Sequence, residues 1–149
     1  MYSHILISTD GSEVAGKGLD HGLTLARALG ARVTIITVTE AFPAYVGAAG
    51  AAWFPGPEEI EAYDGRQAEI AAGILKAAIA AADRIGVPAE MLHVPNAPPA
   101  EGIVETAKAR GCSLICMASH GRRGIGRLLL GSQTAEVLAH SPVPVLVVR

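Results

Sequence analysis

Short β-branched runs alternate with helical periodicity along the whole chain. That alternation restricts the fold more than any other property of the sequence. His4-Ile-Leu-Ile-Ser-Thr9 reads as a strand and stops at Asp10-Gly11-Ser12, a turn able to cap a helix. From Ser12 to Leu29, Ala15, Leu19, Gly22, Leu23 and Ala26 recur at helical spacing, and Gly30 supplies a stop. Arg32 to Thr39 predicts a second strand. Pro57 opens a long helix whose apolar stripe is Ile60, Tyr63, Ile70, Ile74, Ala78, Ala81 and Ile85, with Gly86 closing it. A third strand covers Ala89 to Val94. A helix follows with Pro98 in its first turn, Ile103, Val104 and Ala107 buried, and Gly111 as its stop. Ser113 to Ala118 is a fourth strand, Ser132 to His140 a short helix and Val143 to Val148 a fifth strand. Strands separated by helices require right-handed parallel crossovers. The expected architecture is therefore α/β, an open parallel sheet of five strands with helices on both faces. Ligands of such sheets bind beyond the carboxyl ends of the strands, so the residues that follow each strand carry the functional interest.

The chain has 149 residues, the length of one domain, and the reading is a single domain over 1–149. Twelve Lys and Arg stand against 14 Asp and Glu, which argues against nucleic acid as the main partner. Aromatics are 4% of the chain, too few for single-strand stacking platforms. Cys112 and Cys116 on one strand would lie ~13 Å apart, beyond the ~7 Å that a disulfide tolerates. Two thiols also fall short of a four-ligand metal site. Both are expected as buried small hydrophobes. The opening MYSHILIS lacks a basic region followed by a long apolar run. The stretch from Ala41 to Phe54 is broken by Gly and Pro, so no membrane span is expected. The expected location is the cytoplasm.

Two stretches depart from regular elements. Glu40 to Gly56 holds the single tryptophan, Trp53, beside Phe54. It reads as a variable loop packing two aromatics onto the core, or alternatively as a lid or partner contact. The second stretch, Ser119 to Leu130, is glycine-rich and basic. Gly121 and Gly131 allow unusual backbone angles and close approach to a ligand. Ser132 can cap the following helix while its hydroxyl, with the N–H groups of Ser132 and Gln133, faces an anion. Arg122, Arg123 and Arg127 add positive charge. These parts suit a polyphosphate, and equally a glycine-rich connection with a solvated basic face. His120 lies inside this candidate site. Gly11-Ser-Glu-Val-Ala-Gly16-Lys17-Gly18 imitates a P-loop, but its last position needs a hydroxyl for Mg²⁺ and has Gly18. Lys17 reads as a solvated helix residue.

The run ASHGRRGIGRLLLGS, the opening ILISTDGS and the ending SPVPVLVVR together resemble the universal stress protein family. The resemblance covers nearly the whole chain. The family signature G-x2-G-x9-G-[ST] is met at Gly121, Gly131 and Ser132, with Ala118 in place of the first glycine. The resemblance implies a Rossmann-like sheet of order 3-2-1-4-5 and a homodimer paired through the C-terminal strand. It also implies ATP binding, with Mg²⁺, in members that keep the signature. By position, Ser8, Thr9 and Asp10 would hold adenine and ribose. Val38 would offer the backbone that reads the adenine edge, and Met117 and Ala118 would pack near the ribose and first phosphates. Gly121, Arg122, Gly131, Ser132 and Gln133 would surround the phosphate chain. Asp10 also suits a helix cap, and the two roles are compatible. The implied function is an ATP-binding regulatory or interaction protein of the stress response, with an unidentified protein partner and at most slow ATP hydrolysis. The alternative is a nucleotide-free interaction protein of the same fold, its ATP binding impaired by Ala118. Were that position to need φ > 0, the alanine would cost about 1 kcal/mol.

Overall fold

The computed structural model describes residues 1–43, 45–46, 50, 52–120 and 130–149. The elements in chain order are β1 (His4–Ser8), α1 (Glu13–Leu29), β2 (Arg32–Val38), β3 (Tyr45–Val46), β4 (Ala52–Trp53), α2 (Pro57–Arg84), β5 (Ala89–Val94), α3 (Pro99–Ala109), β6 (Leu114–Ala118), α4 (Ser132–His140) and β7 (Val145–Val148). Five of the strands form one sheet in the order β5-β2-β1-β6-β7, and every pairing in it is parallel. Counted along the chain, that is the expected 3-2-1-4-5.

The sheet divides the interior into two cores, because successive strand residues point to opposite faces. Ile5, Ile7, Val33, Ile35, Leu114 and Cys116 pack under α1 and α2. Leu6, Ile36, Ile115 and Met117 pack under α3 and α4. Each fully buried Ile or Leu contributes roughly 1.5–3 kcal/mol. The cysteines are both free and buried, Cys112 in the second core and Cys116 in the first. Burial pushes the Cys116 thiol up to about 11, and its Sγ donates to the Gly18 carbonyl at 3.4 Å. Cys112 stands two residues ahead of β6 rather than on it.

The buried face of α1 is the expected one, Ala15, Leu19, Gly22, Leu23 and Ala26, with Gly18 added. Gly18 settles the imitation P-loop. A Cβ there would stand 3.0 Å from the backbone nitrogen of Ala118, and a Cβ at Gly22 would stand 2.7 Å from the end of Ile7. These are packing glycines that let the helix lie close on β1 and β6, and Lys17 is exposed as expected.

The structure corrects two expectations. The stripe assigned to α2 is buried only in its second half, at Ala71, Leu75, Ala78, Ala81 and Ala82. Ile60 and Ile70 are 39% and 45% exposed. The cause is length: 28 residues of helix rise about 42 Å, and a seven-residue strand spans about 23 Å. The first half of α2 outruns the sheet. The stretch from 40 to 56 is also not wholly irregular, since β3 and β4 pair antiparallel with Tyr45 opposite Trp53. Its aromatics do not reach the core: Trp53 is 47% and Phe54 72% exposed. Phe42 instead bridges Trp53, at 5.9 Å between ring centroids, and Tyr63 of α2, at 5.0 Å.

Candidate functional site

A cavity of about 460 Å³ opens beyond the carboxyl ends of β1, β2 and β6. That volume lies within the roughly 300–1,000 Å³ of small-molecule sites. Nine of the residues singled out from the sequence line it: Ser8, Thr9, Asp10, Val38, Met117, Ala118, Gly131, Ser132 and Gln133. Gly121 and Arg122, with Arg123 and Arg127, lie outside the described residues.

The β1 end is shaped by its turn. Asp10 Oδ1 accepts from the Ser12 N–H at 2.9 Å, and Ser12 caps α1 by accepting from Ala15 N–H at 3.2 Å. Gly11, at φ 78°, takes the left-handed bend between them, which a glycine adopts without penalty. Thr9 is largely consumed by the scaffold. Its N–H donates to the Ile36 carbonyl, and its own carbonyl accepts from Thr37 Oγ1.

At the β6 end the helix cap is Gly131, with Ser132 the first helical residue; the expectation that Ser132 caps is corrected. A glycine offers no capping side chain, so the amides of Ser132 and Gln133 have no hydrogen-bond partner among the described residues. Gln133 spends its side chain elsewhere, accepting from the Ala100 N–H at the start of α3 at 3.0 Å. Gly131 has an ordinary φ of −60°. What demands glycine there is a contact: a Cβ would stand 2.9 Å from the Ser119 carbonyl, to which the Gly131 N–H also donates at 2.9 Å. Thr134 reinforces the junction, its hydroxyl lying 3.1 Å from the Ala118 and Ser119 carbonyls. Ala118 ends β6 and is not among the residues with positive φ, so its methyl carries none of the conditional strain.

The sequence reading did not place α2 at the site, yet Tyr63, Gln67, Ile70 and Ile74 line the cavity. Tyr63 donates its hydroxyl to the Glu40 carbonyl at 3.2 Å. Thr37, Thr39 and Glu40 also line the cavity from the end of β2. His120 borders it as well, with Nδ1 held 2.9 Å from Ser119 Oγ and Nε2 without a hydrogen-bond partner among the described residues.

With this geometry in place, comparison with known proteins is decisive. The universal stress protein family model matches residues 1–149. The chain belongs to the universal stress protein family. A universal stress protein of Thermus aquaticus, from the QAH/OAS sulfhydrylase 3′ region, is 34% identical over 149 residues, covering all of both chains. The crystallised protein MJ0577 superposes with a TM-score of 0.77 at 27% identity, over 99% of this chain and 96% of that one. A universal stress protein solved in complex with cAMP superposes with a TM-score of 0.71 at 27% identity, over 99% and 97% of the two chains. In this member of the family, two described signature positions are accounted for physically. Gly131 is the point where α4 touches β6, and Ser132 leads the open amides of the helix. Gly18, outside the signature, is the glycine on which α1 meets the third position, Ala118.

Proposed function

We propose that this universal stress protein binds ATP, with Mg²⁺, in the cavity between the Asp10 turn and the start of α4, and acts as a nucleotide-dependent regulatory or interaction protein in stress response. The observation that carries the reading is one cavity with two unlike ends. At one end α4 presents amides that have no partner among the described residues and the positive end of its dipole, which suit phosphate. At the other, Asp10 offers a carboxylate suited to ribose hydroxyls beside a partly apolar wall suited to a base. Mg²⁺ keeps most of its waters and enters on the phosphate oxygens of the nucleotide. The cAMP complex of a relative supports an adenine nucleotide as the ligand class. The reading gives the chain binding and positioning groups, with hydrolysis slow at most. It places the protein in the cytoplasm as one domain, working with an unidentified protein partner.

One observation favours a second reading. Ala118 puts a methyl where the signature has glycine, and it lines the cavity. A nucleotide-free interaction protein would follow if that methyl blocked the ribose-phosphate. Calorimetric titration with Mg-ATP decides between them. Ser132 is exposed and its hydroxyl bonds nothing in the described protein, so Ser132→Ala should leave folding intact. Losing a hydrogen bond to a charged group costs about 1.5–3 kcal/mol, so its ATP affinity should fall roughly ten- to a hundredfold. A wild type that binds no ATP at millimolar concentration establishes the second reading.

A further inference from the structure

The end of β2 and the facing turns of α2 form the wall farthest along the sheet from α4. Most of the polar side chains there are already engaged. Thr37 donates to the Thr9 carbonyl at 2.9 Å. Thr39 Oγ1 lies 2.7 Å from His93 Nε2. Tyr63 donates to the Glu40 carbonyl at 3.2 Å, and Glu40 is itself partnered. Gln67 differs. It is half-buried, lines the cavity one helical turn beyond Tyr63, and its carboxamide makes no hydrogen bond with the described residues. Residues four apart lie on the same helix face, and the Tyr63–Glu40 bond fixes that face against the end of β2. Ile70 and Ile74 continue it as an apolar wall.

A carboxamide carries one acceptor and one donor group side by side. Adenine presents the complementary pair, an amino group beside a ring nitrogen acceptor. On the edge that carries N7, a 6-oxo purine replaces that amino donor with a second acceptor, so a carboxamide, turned either way, makes one hydrogen bond there instead of two.

We infer that Gln67 is a base-specificity residue, its carboxamide pairing with the 6-amino group and N7 of adenine and so selecting 6-amino over 6-oxo purine nucleotides. This rests on the nucleotide reading above. It assigns the choice of base to α2, whereas the phosphate end of the cavity is indifferent to the base.

The test is titration of wild type and Gln67→Leu with Mg-ATP and Mg-ITP, which share the N7 acceptor and differ beside it in the 6-substituent, an amino donor in one and an oxo acceptor in the other. A bidentate contact to a base edge discriminates by roughly 5- to 150-fold. Wild type should prefer ATP over ITP by a factor in that range. Gln67→Leu should bring the ratio near one by weakening ATP far more than ITP. Gln67 makes no hydrogen bond in the described protein and leucine is a good helix former, so the variant should unfold at the wild-type temperature. Equal wild-type affinity for ATP and ITP overturns the inference. So does a wild-type ratio retained in Gln67→Leu, which would hand discrimination to the β2 backbone at Val38; in both cases nucleotide binding itself stands. A wild type that binds neither nucleotide overturns this inference together with the functional reading.

Discussion

Gly131→Ala tests whether the junction of β6 and α4 is built as described. The added Cβ would stand 2.9 Å from the Ser119 carbonyl, a backbone atom that cannot swing aside. Either α4 shifts outward or β6 bends, and the 2.9 Å bond from Gly131 N–H to that same oxygen is strained or lost. Overpacking of this kind costs about 1–3 kcal/mol, and a lost hydrogen bond adds about 0.5–1.5 kcal/mol. The sum, roughly 1.5–4.5 kcal/mol, lowers the unfolding temperature of a domain this size by roughly 3–18 °C. The measurement is thermal unfolding by circular dichroism without nucleotide, so that ligand binding does not enter. Gly73→Ala is the matched control, because a Cβ there meets nothing within 4 Å inside α2. It should gain about 0.5–1 kcal/mol from reduced chain entropy. If Gly131→Ala unfolds at the wild-type temperature, the contact does not set the glycine requirement, and ligand approach alone would have to explain it.

Three further outcomes are expected. Ala118→Gly should tighten ATP by less than about tenfold, since the native alanine sits at an ordinary strand conformation; a gain from no binding to binding would show the methyl to be disabling. His4 is buried, with Nε2 2.8 Å from Thr34 Oγ1, and burial, aided by Arg32, holds its pKa below 6.5. The unfolded chain therefore takes up that proton first, so the contribution of neutral His4 is complete above pH 6.5 and is lost as pH falls from there towards the folded value. Urea midpoints should show the stability advantage of wild type over His4→Gln shrinking between pH 7.5 and 5, and a pH-independent difference would refute this. On assembly, Val145, Leu146 and Val147 of β7 are half-buried along a sheet edge that, among the described residues, pairs only to β6, and an uncovered edge invites pairing. Sedimentation at micromolar concentration should give a homodimer, and a ~15 kDa monomer would exclude it.

The fold was legible because its signals are local and repeated. Strong β-branched runs and the α1 pattern from Ala15 to Ala26 each bury the face that their spacing announces. The site was legible where it follows strand ends, at Asp10 and at Gly131-Ser132. It was not legible on α2. Tyr63, Ile70 and Ile74 keep the same spacing whether they face a core or a cavity, and only the relative lengths of helix and strand decide which. Gln67 carries no signal until its neighbours' hydrogen bonds are counted. The β3–β4 pair is two residues per strand, too short for any periodicity to mark. The role of Gly131 was half-read: close approach was foreseen, but its object is the Ser119 carbonyl, and a φ of −60° uses none of the freedom first attributed to it.

Gly18 and Gly22 seat α1 directly on the sheet, and this has a consequence for the cavity above. Side chains between a helix and a sheet act as a compressible gasket that can repack. Here the spacing is fixed at Gly18 by the Ala118 backbone nitrogen, 3.0 Å from where a Cβ would stand, a hard datum with almost no give. The Asp10 turn leads straight into α1, so the height of that turn over the end of β6 is gauged by the thickness of a glycine. A methyl added at Gly18, on the sheet-facing side of α1, would lift the helix like a shim. The span between the two ends of the cavity would widen with it, making ligand affinity a caliper for packing in the interior.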